Sequence, residues 1–116
     1  MKTLCIDFDG VIHGYQSGWK GVAVIPDEPV AGALDWLRSL LADPAFRVCI
    51  YSSRSKEEMG VAAMRAWFIE HGFDPVGLEF PTQKPAAFLT IDDRAICFTG
   101  EFPSAERIHA FRTWQQ

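Results

Sequence analysis

A chain of 116 residues with a net charge of −4, 48% hydrophobic and 22% charged, has the composition of one soluble globular domain and is too short for two of ordinary size. Its lysines and arginines are scattered without a run, which argues against an extended nucleic-acid-binding surface but leaves room for a local phosphate pocket. Nine Phe and four Trp exclude a disordered chain, and Asp7 interrupts the first apolar run, so neither a signal-peptide pattern nor a membrane-length segment is read and a cytoplasmic location is expected.

In chain order, Thr3 to Phe8 is nearly all apolar, as a strand buried on both faces of a parallel sheet would be. Ile12 to Ile25 is a glycine-rich excursion, a flap or hairpin carrying Tyr15, Trp19 and Lys20. Pro26-Asp27-Glu28-Pro29 is expected to open a helix with Val30, Leu34, Leu37 and Leu41 on one face. Phe46 to Tyr51 is a second strand. Ser55 with Glu58 forms a capping-box pattern for a helix bearing Met59, Ala63, Ala66 and Trp67, with Gly72 at its end. Short strands are expected at Leu78–Phe80, Phe88–Ile91 and Ala95–Phe98. Ser104 should cap a last helix with Ile108, Phe111 and Trp114 facing inward. Cys5, Cys49 and Cys97 each lie in an apolar run and read as small buried hydrophobes.

Alternating strands and helices imply an α/β fold: a single three-layer, Rossmann-like domain over residues 1–116. Its mostly parallel sheet would have about five strands, helices on both faces and no large cap.

The polar residues of interest each follow an apolar strand: Asp7 and Asp9, Ser52, then Asp92 and Asp93. Ligands in open parallel sheets bind at the carboxyl ends of strands, so these residues should converge, with Lys84 entering from a loop. Clustered carboxylates repel one another, and Mg²⁺, which prefers oxygen ligands, offsets that repulsion. Ser52, Lys84 and Arg54 are suited to phosphate oxygens. A carboxylate can attack phosphorus, and Asp9, two residues on in an extended segment, points the same way as Asp7 to act as acid and base. Gly10 would let the backbone turn closely past the phosphate. Taken singly, a D-x-D pair, an Asp-Asp pair or one Lys is more often a turn former or a surface charge. Their joint occurrence at successive strand ends carries the reading.

These motifs resemble those of the haloacid dehalogenase-like phosphohydrolase superfamily: Asp7-Phe8-Asp9-Gly10-Val11 its first, Ser52 its second, Lys84 its third and Asp92-Asp93 its fourth. The resemblance spans residues 3 to about 98. It implies an Mg²⁺-dependent phosphatase with Asp7 as nucleophile and Asp9 as general acid/base. The ion would be held by the Asp7 carboxylate, the Asp9 carbonyl and Asp92, with Asp93 helping through water or by orienting Lys84. Either acid of the pair is a candidate for direct contact. Ser52 and Lys84 would bind phosphate. The stretches Ser52-Ser53-Arg54 and Asp92-Asp93-Arg94 are also similar to those of polynucleotide kinase/phosphatase phosphatase domains. That likeness implies an Arg54 contact to phosphate and a nucleotide or nucleic-acid phosphate end as substrate. The short intervals between motifs imply a capless enzyme with an open site; a monomer or weak dimer is expected. A signalling receiver domain uses similar ingredients, but its acidic pair comes first and its acceptor Asp stands alone. A non-catalytic Mg²⁺/phosphate-binding module is the third alternative.

Overall fold

The computed structural model describes residues 1–116. Strand β1 (Lys2–Ile6) is followed by a long loop, helix α1 (Ala33–Leu41) and strand β2 (Phe46–Ile50). A 3₁₀ turn at Ser53–Lys56, helix α2 (Glu58–Glu70), strand β3 (Leu89–Ile91) and helix α3 (Ala105–His109) complete the order. The sheet has the order β2-β1-β3, all parallel, with Leu4 beside Val48 and Leu89, and Ile6 beside Ile50 and Ile91. The α/β class expected from the sequence is present, with three strands instead of about five.

Two expected strands are missing for identifiable reasons. In the Leu78–Phe80 run, Glu79 alone pairs with β2: its N–H donates to Val48 O at 3.0 Å and its carbonyl accepts from Ile50 N–H at 2.8 Å. The next donor of a parallel ladder would come from residue 81, which is Pro81 and has no N–H, so pairing stops after one residue. Ala95–Phe98 leaves β3 through a turn in which the Asp92 carboxylate accepts from Arg94 N–H at 2.8 Å. No further strand receives it, and Phe98 stays 59% exposed.

The core lies on one face of the sheet. From the strands it takes alternate residues, Leu4 and Ile6 of β1 and Val48 and Ile50 of β2, and adds Leu37 of α1 and Met64, Trp67 and Phe68 of α2. A right-handed crossover puts its helix on a face set by the direction of the step, and β1→β2→Glu79 steps twice in one direction. Both helices therefore share a face. The return to β3 on the far edge runs through residues 81–88, which contain no helix. The helical layer expected on the second face is thus absent, and Cys5 and Cys49, neighbours in register, lie on that side. Both are buried, whereas Cys97 is exposed, contrary to the sequence expectation.

Helix boundaries also shift. Asp27 N–H donates to His13 Nε2 and Asp27 O accepts from Trp67 Nε1, both at 3.0 Å. Val30 N–H bonds Ile12 O at 2.8 Å, so Pro26–Pro29 runs back against the flap base instead of opening a helix. Helix α1 begins only after Gly32, whose φ of 83° suits glycine. The capping box belongs to the 3₁₀ turn: Ser52 Oγ accepts from Arg54 N–H and Ser55 Oγ accepts from Ser52 N–H, each at 3.0 Å. Helix α2 follows Glu57 with no side-chain cap and ends before Gly72, whose φ is 79°. Ser104 caps α3 through Arg107 N–H at 3.1 Å, but this five-residue helix buries nothing, and Ile108 and Trp114 are exposed. No helix is long and apolar enough to cross a membrane.

Candidate active site

Parallel pairing of β1 with β3 brings the first acidic motif to the last. Asp7 N–H donates to Ile91 O at 2.9 Å, which sets Asp7 beside the residues that leave β3. Carboxylate oxygens of Asp7, Asp92 and Asp93 lie within 4.8 Å of one another. Burial, then the Asp92 charge and a hydrogen bond with Asp93, push the Asp7 carboxyl from 3.8 up to about 8, against a smaller opposing effect of the Phe8 N–H.

These acids open on a cleft of about 630 Å³, whose wall also includes Asp9, Ser52 and Ser53. A smaller adjoining cleft of about 170 Å³ holds Lys84 with Asp7, Ser52 and Asp92. Six of the eight residues singled out in the sequence, Asp7, Asp9, Ser52, Lys84, Asp92 and Asp93, therefore share one location at the carboxyl end of the sheet, as expected for this topology.

Gly10 and Arg54 take other positions. Gly10 has φ 85°, and a Cβ there would stand 2.2 Å from Asp93 Oδ2. Its N–H is already given to His13 O at 2.9 Å and its carbonyl accepts from Trp114 Nε1 at 2.7 Å. Gly10 thus makes room for Asp93 and has no N–H free for a phosphate.

Arg54 is fully buried behind the cleft. Its Nε donates to both Asp9 oxygens, at 3.0 and 3.3 Å, and its Nη1 to the carbonyls of Gly21, Val22 and Val24 at 2.8 to 3.2 Å. Nη2 is buried without a partner. The Trp19 ring lies 4.7 Å from the guanidinium, so Trp19 pins the flap, and neither it nor Lys20 lines the cleft. The flap itself contains no hairpin.

His13 completes the support of Asp9. Its Nδ1 lies 2.9 Å from Asp9 Oδ1, and its Nε2 accepts from Asp27 N–H. A nitrogen that accepts carries no proton, so this pattern assigns the proton to Nδ1, which donates to Asp9. The ring is fully buried and stacks on Phe8, with Trp67 at its edge. In the sequence His13 had no role; the only local signal was its position four residues after Asp9.

Sequence reasoning named Tyr15 on the flap and Arg94 after the acidic pair but missed the rest of the far wall. Gln16, Arg94, Thr113, Gln115 and Gln116 line the large cleft beside Tyr15, which has φ 63°. Burial, then the Asp9 charge, raise the Tyr15 hydroxyl above the usual tyrosine range. Residues 113–116 reach the site because Trp114 bonds Gly10 O and Gln115 Nε2 bonds Gly14 O, each at 2.7 Å. Comparison with protein-family models, with curated proteins and with solved structures finds no match to this chain.

Proposed function

We propose that this protein is a Mg²⁺-dependent phosphomonoester hydrolase of the haloacid dehalogenase-like type, acting through an aspartyl-phosphate on Asp7. The observation that supports it best is the gathering of Asp7, Asp92, Asp93 and Ser52 on one cleft at the strand ends, with Lys84 on an adjoining cleft that shares Asp7, Ser52 and Asp92. An all-oxygen set of three acids, in which burial first and then the Asp92 charge raise Asp7, suits a hard divalent cation. Asp7, Asp92 and Asp93 would hold Mg²⁺, with the Asp9 carbonyl as a further oxygen. When bound, the ion neutralises the charge gathered at the nucleophile and on the phosphoryl oxygens.

In this reading an Asp7 oxygen attacks phosphorus as the ester oxygen departs, and that oxygen takes a proton from the Asp9 carboxyl. Water then attacks the acyl phosphate while Asp9 accepts its proton. Ser52 Oγ accepts from Arg54 N–H and donates to Met64 Sδ at 3.8 Å, a weak acceptor that its proton can leave for a phosphoryl oxygen, to which Lys84 is also suited. His13 and Arg54 act through Asp9 as positioning residues. Arg54 moves from the phosphate contact expected in the sequence to this supporting role. The two donors that hold Asp9, His13 Nδ1 and Arg54 Nε, favour one competing reading, a receiver-like acceptor with a long-lived phosphoryl group, and phospho-Asp7 lifetime separates the two. The enzyme would work in the cytoplasm as a monomer or weak dimer, with an exposed Cys97 that suits a reducing compartment.

The test is hydrolysis of an aryl phosphate by the wild type and Asp7→Asn, with Mg²⁺ and with EDTA. Turnover is expected only for the wild type with Mg²⁺, and at least about 10³-fold lower for Asp7→Asn, since losing a nucleophile removes the covalent route. Wild-type rates for Asp7→Asn would refute the mechanism.

A further inference from the structure

The chemistry above uses only one side of the large cleft. At about 630 Å³ the cleft falls within the roughly 300–1,000 Å³ of small-molecule sites, so it has room for a leaving group beside the phosphoryl group. The remaining wall is polar. Gln115 spends one Nε2 proton on Gly14 O, and its Oε1 has no intramolecular partner. Gln116 Oε1 accepts from Thr113 N–H at 3.1 Å, which leaves its amide N–H groups free. Tyr15 adds an aromatic ring. An apolar leaving group would displace water from these amides without replacing its hydrogen bonds, so a hydrophilic one is favoured.

Arg94 is the one cationic side chain on this wall, and it pairs with no carboxylate. Its backbone is set by the Asp92 turn, which its own N–H closes, while its exposed side chain is open to a ligand. An unpaired guanidinium on the cleft wall, next in the chain to the acid pair and beside free amides, matches an anion carried by the substrate some distance from the reacting phosphate.

We infer that Tyr15, Arg94, Gln115 and Gln116 form a leaving-group subsite selecting hydrophilic phosphomonoesters that bear a second anionic group, with Arg94 as the specificity-determining residue. This rests on the phosphatase reading for its kinetic consequence, though not for binding.

The kinetic test compares a nucleoside 3′,5′-bisphosphate with the nucleoside 3′-monophosphate, and fructose 1,6-bisphosphate with fructose 6-phosphate, as substrates of wild type, Arg94→Ala and Arg94→Lys. The bisphosphate-to-monophosphate ratio of kcat/KM is expected to fall about tenfold in Arg94→Ala, mainly through KM, and to recover in part in Arg94→Lys. Whichever pair shows the change identifies the leaving group as nucleoside or sugar. A purely structural role for Arg94 would lower both members of a pair alike and leave the ratio unchanged, which overturns the proposal. Calorimetric binding of the same bisphosphates to Asp7→Asn and to Asp7→Asn/Arg94→Ala gives a readout independent of turnover. About tenfold weaker binding for the double variant supports the subsite even if no hydrolysis is found, and equal binding overturns it.

Discussion

Arg54→Ala is expected to destabilise the fold by about 3–5 kcal/mol, the range for breaking a buried charge pair from one side. The guanidinium is fully buried and donates to the Asp9 carboxylate and to three flap carbonyls. Removing it leaves Asp9 short of its cationic partner and leaves the carbonyls of Gly21, Val22 and Val24 without this donor. It also removes the surface on which Trp19 rests. Urea denaturation of wild type and variant measures the loss. Arg54→Lys should recover little, because one ammonium cannot reproduce a fork that faces the carboxylate with Nε and the flap with Nη1. A loss below about 1 kcal/mol would mean that the flap is held by other contacts.

The second large effect concerns pH. The Asp7 carboxyl rises from 3.8 to about 8 on folding without a cation, so between those values the folded chain binds more protons than the unfolded one. Stability then falls as pH rises: the contribution is fully present below pH 4 and is lost as pH climbs to 8, on the order of 6 kcal/mol for the full shift. Thermal unfolding in EDTA should therefore show a falling Tm across this window for the wild type. Asp7→Asn should have a much flatter profile and a higher Tm at pH 8. Millimolar Mg²⁺ should raise the wild-type Tm most at the alkaline end, where the three acids repel most. A wild-type Tm in EDTA that is flat or rising from pH 4 to 8 would contradict the strained acid cluster.

How much of this could be read from the sequence depended on whether the signal was local. The acids follow apolar runs, and the parallel topology alone brings the ends of β1, β2 and β3 together. That is why Asp7, Ser52 and Asp92 were legible as one site. Ser104 and Gly72 carried their capping functions in their own residue types. What could not be read arose from contacts distant in sequence. Pro26–Pro29 has every mark of a helix start, yet His13 and Trp67 hold Asp27 by both its backbone groups and keep the segment extended. The run Leu4-Cys5-Ile6 reads as buried on both faces. It is buried, but only one face has a helical layer, because no helix follows Glu79 on the way back to β3.

Arg54 follows the same logic. A Ser-x-Arg after a strand suggests a phosphate ligand, and nothing local reveals that Gly21 to Val24 will supply three carbonyls to its guanidinium. Gly60 makes that burial possible: a Cβ there would stand 2.0 Å from Arg54 O, so α2 packs against the 3₁₀ turn at a distance only glycine allows. The wall formed by residues 113–116 was invisible because Trp114 and Gln115 reach Gly10 and Gly14 across about the whole length of the chain.

The central claim is that Asp7 itself carries the phosphoryl group. Acid quenching during turnover of an aryl phosphate with Mg²⁺, borohydride reduction and peptide mass spectrometry test it directly, since an aspartyl-phosphate is reduced to homoserine. Homoserine at position 7, absent in EDTA and absent without substrate, is the predicted result. Turnover with an unmodified Asp7, or with the label at another residue, would contradict it.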